Sequence, residues 1–268
     1  MSSDLDKRDL AALRPTERFS DRVENYVRYR PGYPAGVVEL MRREMGMTPA
    51  SVVADVGSGT GLLAKLFLEN GNTVYGVEPN REMREAGEAF LRSHPNFVSV
   101  AGSAEATTLD AESVDFVTAG QAFHWFDVEG SRREFKRIMR GGAFCALVWN
   151  ERRRDSTPFL AAYESLLRRH GTDYNAVAEG GVLSEEDGAR LLRAFFGGDY
   201  RHASFDNFQT FDFDGLRGRM LSASYVPLAG QPGHDELFAG VRAAFDEHQS
   251  EGVITFEYDT QVYFGQIK

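Results

Sequence analysis

Ser51-Val52-Val53-Ala54-Asp55-Val56-Gly57-Ser58-Gly59-Thr60-Gly61 joins a short apolar run to three glycines at alternate positions. The apolar half, Ser51–Val56, reads as a strand buried on both faces, and Leu62–Glu69 beyond it reads as a helix. Glycines at a strand-to-helix turn permit a tight bend and let a ligand approach the backbone closely. Open parallel sheets bind their ligands at such turns, outside the carboxyl ends of the strands.

The chain around this turn keeps the same rhythm. Thr73–Val77, Phe97–Ala101, Val114–Ala119 and Phe144–Trp149 are further strand candidates, with helical stretches at Arg81–Arg92 and Glu129–Met139 between them. Alternating β and α elements predict a doubly wound α/β fold, a parallel sheet with right-handed crossovers and helices on both faces. Upstream, Ala35–Met45 reads as one more helix. Downstream, Pro158–His170, Ser184–Phe196, Asp214–Ala223 and Asp235–Gln249 read as helices, while His202–Phe213 alternates with period two and Gly252–Phe264 closes as a long β segment. The expected division is an N-terminal flap over 1–34, a ligand-binding core over 35–150, a helical lid insertion over 151–198 and a return over 199–268 that completes the sheet.

Composition narrows the function. The 268 residues are 42% hydrophobic and 26% charged, as in an ordinary folded domain. A net charge of −10 argues against a nucleic-acid partner, because phosphate neutralisation needs a basic face. No run of eighteen apolar residues predicts a membrane span, and Met1–Phe19 lacks the apolar stretch of a secretory signal. The single cysteine, Cys145, permits neither an internal disulfide nor a cysteine metal cluster and reads as a buried small apolar residue. A cytoplasmic location is expected, with no bound metal.

Two rival readings of the glycine turn fit poorly. The dinucleotide fingerprint wants glycine at its first, third and sixth positions, and the sixth residue counted from Gly57 is Leu62. A phosphate loop would need Gly-Lys-Ser/Thr, which does not follow. A second signal favours a ribose-bearing ligand. Glu78 ends the second strand within Val77-Glu78-Pro79-Asn80, where Pro79 biases it towards extended backbone and Asn80 can cap the next helix. A carboxylate about twenty residues beyond the glycine turn is the usual partner of ribose hydroxyls.

With Asp55–Gly61, Glu78, the loop Gly102-Ser103-Ala104-Glu105, Asp115–Phe126 and Met139-Arg140-Gly141-Gly142 in this order, residues 15 to 150 resemble class I methyltransferases that use S-adenosylmethionine (SAM). Tyr29-Arg30-Pro31-Gly32-Tyr33-Pro34 and Gln121–Asp127 are similar to a subgroup of small-molecule enzymes that includes trans-aconitate-type methyltransferases. The resemblance implies a Rossmann-like, seven-stranded, mostly parallel sheet whose last strand is antiparallel. It implies that Gly57, Gly59 and Gly61 line the methionine and ribose portion, that Glu78 holds the ribose, and that Ala104 and Glu105 lie along the adenine. The backbone near Ala119 and Gly120 would face the methionine amine, with Asp55, Ser58, Pro79 and Ser103 completing the pocket. Ser103 stands where many relatives carry Asp, and Ser58 where Cys is common.

From the flap, Tyr26 and Tyr29 would touch the cofactor, and Arg30 would meet a carboxylate, which suits its bidentate guanidinium. The aromatic run Phe123-His124-Trp125-Phe126 either packs a lid or faces the sulfonium through cation–π attraction. His124 is the candidate general base, and His124, Trp125 and Arg152 are candidate substrate contacts; Arg152 lies in the basic run Glu151–Asp155, which as a solvated turn would have no such role. Methyl transfer from SAM needs neither a metal nor a covalent nucleophile, and a carboxylate acceptor needs no base. The expected function is methyl transfer to a small molecule. A non-catalytic module that binds SAM or S-adenosylhomocysteine and, more remotely, an NAD-dependent oxidoreductase are the alternatives.

Overall fold

In the computed structural model, which describes residues 23–175 and 185–268, the strand containing the glycine turn lies inside a seven-stranded sheet. In chain order the elements are α1 (Val23–Tyr29), α2 (Gly36–Met45), β1 (Val52–Val56), α3 (Leu62–Glu69), β2 (Thr73–Val77), α4 (Arg81–Phe90), β3 (Phe97–Val100) and β4 (Val114–Gly120). They continue with α5 (Val128–Ile138), β5 (Met139–Arg152), α6 (Pro158–His170), α7 (Glu185–Phe196), β6 (Arg201–Phe211), α8 (Phe213–Leu221), α9 (His234–His248) and β7 (Ile254–Gly265). The strand order is β3-β2-β1-β4-β5-β7-β6. Strands β1 to β5 pair in parallel, and β7 enters antiparallel between β5 and β6. The Rossmann-like, mostly parallel sheet with an antiparallel last strand is therefore present.

Alternation along β1 divides the core. Val53 faces α2 and α3, joining Met41, Leu63 and Phe67, whereas Ala54 and Val56 face α5 and α7 with Phe135, Leu192 and Phe195. The helices start where the sequence supplies a cap: Asn80, Asp127, Thr157 and Asp212 each accept a hydrogen bond from the amide three residues on. Strand β5 is longer than its apolar run Phe144–Trp149 predicts. Met139–Ala143 is also extended, with a register shift against β4 and Gly142 at φ +85°.

Packing groups the downstream residues differently from the expected lid over 151–198. Helix α6 joins α8, α9 and the outer parts of β6 and β7 in a third apolar cluster that includes Phe159, Tyr163, Met220, Val241 and Phe256. Because Arg152 pairs with Tyr258, the Ile254–Tyr258 portion of β7 carries this cluster past the carboxyl end of β5. Helix α7 packs instead on α5 as part of the main core. The cap is thus built from 158–175 and 211–258, and α7 is a core helix. The first 22 residues of the expected flap, and 176–184 of the expected lid, lie outside the described residues. Among the described residues no helix is long and apolar enough to cross a membrane.

Candidate functional site

A cavity of about 220 Å³ opens at the carboxyl ends of β1, β2 and β4. Eleven of the residues singled out in the sequence line it: Asp55, Gly57, Ser58, Gly59, Glu78, Pro79, Ser103, Ala104, Glu105, Gly120 and Trp125. The turn is anchored to β2 by Gly57 N and Ser58 N, which both donate to Val77 O at 2.8 and 3.1 Å. Gly57 has φ +67°, and a Cβ there would stand 2.6 Å from Ala122 Cβ. Glycine is therefore required both by the backbone and by the loop that crosses above it.

Glu78 is held at the cavity edge by the backbone. Gly59 N donates to its Oε2 at 2.9 Å and Asn80 N to its Oε1 at 2.8 Å, and the residue is 8% exposed. Burial raises the carboxyl above its usual range, against the pull of those two amides and of Arg84. Each carboxylate oxygen keeps accepting capacity for ligand hydroxyls.

Deeper in the wall, Asp55 is 1% exposed. Its Oδ1 accepts from Thr118 Oγ1 at 3.1 Å, and the Ala64 amide points at the same carboxyl group. Burial pushes this carboxyl up to about 7; Thr118 and Ala64 oppose the rise and the nearby Glu78 charge adds to it. Thr60 Oγ1, also buried on this wall, has no partner among the described residues. Asp55 and Thr60 thus place polar oxygens on one cavity wall, and a polar group buried unpaired costs about 1–3 kcal/mol.

The aromatic run after β4 divides its labour. Phe123 is core, with its ring 4.8 Å from Phe195 and 6.2 Å from Trp149. Trp125 and Phe126 are cavity wall. His124 does not line the cavity; it lies against Trp125 at 4.7 Å between ring centroids, and no hydrogen bond reaches it among the described residues. Desolvation pushes its imidazole down to about 4.

Other expected residues sit elsewhere. Gly61 starts α3 at φ +83° and faces Leu91, to which a Cβ would come within 2.5 Å, so it serves helix packing. The Ala119 side chain is buried in the core, and the next residue, Gly120, reaches the cavity. Tyr29 packs its ring on Gly218, and Arg30 Nη2 donates to Ser222 O at 2.9 Å, both against α8. Tyr26 lies in α1, and its side chain falls outside the described residues. Glu105 lines the cavity, but its Oε1 accepts from Asp127 N at 2.9 Å, which ties the adjoining loop to the start of α5.

Arg152 departs furthest from expectation. It is neither a solvated turn residue nor a cavity residue: its Nη2 pairs with Glu164 Oε2 at 2.5 Å and donates to Tyr174 OH at 3.0 Å inside the cap. Both charges are about one-tenth exposed, so removing one strands the other. Glu164→Gln is expected to lower unfolding stability by about 3 kcal/mol, read by urea denaturation with spectroscopic detection.

The wall also bears out Phe126 of the aromatic run, whereas sequence reasoning missed Tyr33, Thr60, Leu62, Met83 and Gln121 as wall residues. Most adjoin motifs already marked: Thr60 and Leu62 the glycine turn, Gln121 the β4 loop, Tyr33 the stretch Tyr29–Pro34. Met83, one turn into α4, had no signal beyond its distance from Glu78.

Comparison with known proteins agrees with this geometry. The family model described as a methyltransferase domain matches residues 54–147. An uncharacterized methyltransferase-like protein of Schizosaccharomyces pombe is 31% identical over 156 residues, covering 58% of this chain and 59% of the relative. An uncharacterized methyltransferase of the same yeast is 27% identical over 210 residues, covering 78% and 79% of the two chains. A solved structure from Anaeromyxobacter dehalogenans, described provisionally as a type II methyltransferase, superposes with a TM-score of 0.64 at 25% identity, over 89% of this chain and 98% of that one. The sheet order, the glycine turn with Glu78, and these matches together show that residues 54–147 form a methyltransferase domain on the class I fold, with SAM as its cofactor.

Proposed function

We propose that this protein transfers the methyl group of SAM to a small-molecule acceptor. The observation that carries the reading is Glu78, whose carboxylate is fixed by Gly59 N and Asn80 N beside the glycine turn and turned towards a cavity. The remaining wall fits the same cofactor. Asp55 Oδ2 and Thr60 Oγ1 suit the ammonium and hydroxyl donors of its amino-acid and ribose parts, and Ser103 and Ala104 lie on the wall along which an adenine would extend. When bound, the cofactor supplies a methyl group on a sulfonium that is already a good leaving centre. The chain has to orient and desolvate: Trp125 and Phe126 offer aromatic faces to a cation, and Tyr33 and Gln121 bound the cavity beside Gly120.

The likeness of Tyr29–Pro34 and Gln121–Asp127 to a small-molecule subgroup, and the net charge of −10, support a small acceptor rather than a nucleic acid. The acceptor's reacting atom is a carboxylate or hydroxyl oxygen, a nitrogen or an acidic carbon. His124 stands outside the cavity wall, packed against Trp125, and with its imidazole pushed down to about 4 it is neutral at physiological pH, so it is not the base for an acceptor in the cavity. His124→Gln is therefore expected to leave the shape of the pH–rate profile above pH 5 unchanged, measured by steady-state assays from pH 5 to 9.

The test of the function is incubation with methyl-labelled SAM and a panel of small carboxylates, alcohols, phenols and amines. Label transferred to one acceptor class, with stoichiometric S-adenosylhomocysteine, supports the reading. Tight cofactor binding with no transfer to any class would favour a binding module instead.

A further inference from the structure

We infer that Tyr33 contacts the bound cofactor and that Asn150 is the residue that positions it, by latching the segment Tyr29–Tyr33 across the mouth of the cavity. Tyr33 is a wall of the cavity, and its hydroxyl lies 2.6 Å from where a Cβ on Gly120 would stand. The ring therefore crosses the carboxyl end of β4, and it can do so because position 120 has no side chain.

The segment is held through its own carbonyls. Gly32 O accepts from Asn150 Nδ2 at 3.1 Å and from Asn207 Nδ2 at 2.9 Å, and Tyr29 O accepts from Gln209 Nε2 at 3.2 Å. Behind the latch, Asn150 Oδ1 accepts from Thr260 Oγ1 at 2.6 Å and from Asn207 Nδ2 at 3.2 Å. Asn150 is 9% exposed and Thr260 fully buried, and a buried amide is retained without penalty only when its bonds are made. A carbonyl can only accept, so the latch needs a donor at position 150, which the Asn150 amide nitrogen supplies while its oxygen accepts from Thr260.

The same residue also holds the wall residue that follows Gly120. Asn150 O accepts from Gln121 Nε2 at 2.7 Å, and Gln121 is itself cavity wall, with its backbone at φ +55°. A non-glycine residue pays to adopt that conformation, and the bond to Asn150 is one of the contacts that hold it there. One asparagine at the end of β5 thus sets two walls of the mouth, Tyr33 directly through the strap and Gln121 through its own carbonyl.

This inference rests on the cofactor reading above, and its test separates the two. S-adenosylhomocysteine is titrated into the wild type, Asn150→Asp, Tyr33→Ala and the double variant, and hydrogen exchange of the 29–33 segment is followed by mass spectrometry without ligand. Asn150→Asp keeps the accepting oxygens and loses the donor to Gly32 O. It is expected to speed exchange in the segment about tenfold and to weaken binding about tenfold. Tyr33→Ala is expected to weaken binding by a similar factor, and Asn150→Asp to add little in the Tyr33→Ala background, because one acts through the other. Asn207→Ala, at a less buried position, is expected to give a weaker version of the same exchange effect should Asn150→Asp fail to fold. Unchanged segment exchange in these variants, or wild-type affinity in Tyr33→Ala, would overturn the inference. Failure of the wild type to bind S-adenosylhomocysteine would sink the cofactor reading instead, while the exchange measurement would still judge the latch.

Discussion

Glu78→Ala is expected to weaken S-adenosylhomocysteine binding by at least about a hundredfold while the protein stays folded. A carboxylate holding two ligand hydroxyls makes two charge-assisted hydrogen bonds, worth about 1.5–3 kcal/mol each. The substitution also frees Gly59 N and Asn80 N, the amides that aim the carboxylate and tie the glycine turn to the end of β2. Glu78→Gln keeps the length and loses the charge, and an intermediate loss is expected. Calorimetric titration of the three proteins reads both effects. Near wild-type affinity in Glu78→Ala would mean that the carboxylate does not face the ligand.

The second large effect belongs to Asp55. Its ordinary value of 3.8 is raised to about 7 in the fold, so between those limits the folded state holds a proton that the unfolded chain has lost. Stability contributed by the neutral form is complete below about 3.8 and is lost as pH rises through about 7, a penalty of about 4 kcal/mol for the ligand-free protein above that range. Asp55→Asn removes the charge and the penalty together. It is expected to raise the melting temperature at pH 8 and to flatten the dependence of stability on pH between 4 and 7. The cost falls on function: a cationic amine placed beside Asp55 Oδ2 needs the ionised form. Wild-type affinity for S-adenosylhomocysteine should climb as pH rises to about 7 and then level, whereas the variant binds weakly at every pH. A variant that gained no stability at pH 8 would show that Asp55 is not held out of its charged form.

The fold was legible because its signals are local and repeated. Five short strands with helices between them dictate a parallel sheet, and the capping residues Asn80 and Asp127 stand in the sequence where α4 and α5 begin. The glycine turn and Glu78 were legible for the same reason, since Gly57 N, Ser58 N and Gly59 N meet the end of β2 across only about twenty residues. What escaped depends on long-range packing. Arg152 read as part of a charged turn, yet β7 extends beyond β5 and α6 folds back to bring Glu164 and Tyr174 to it. Helix α7 read as lid because it follows β5 in the chain, but Leu192, Phe195 and Phe196 bury against α5. Tyr33 and Asn150 are 117 residues apart in the sense of a strand end meeting a segment ahead of the core, and no periodicity announces their meeting through Gly32.

The most direct test of the central claim is a calorimetric titration of the purified protein with S-adenosylhomocysteine and, separately, with NADH. Micromolar binding of S-adenosylhomocysteine with no heat from NADH is the expected result. Binding of NADH without S-adenosylhomocysteine would contradict the account, because the cavity beside Glu78 would then serve a dinucleotide despite Leu62 at the position where that fingerprint needs glycine.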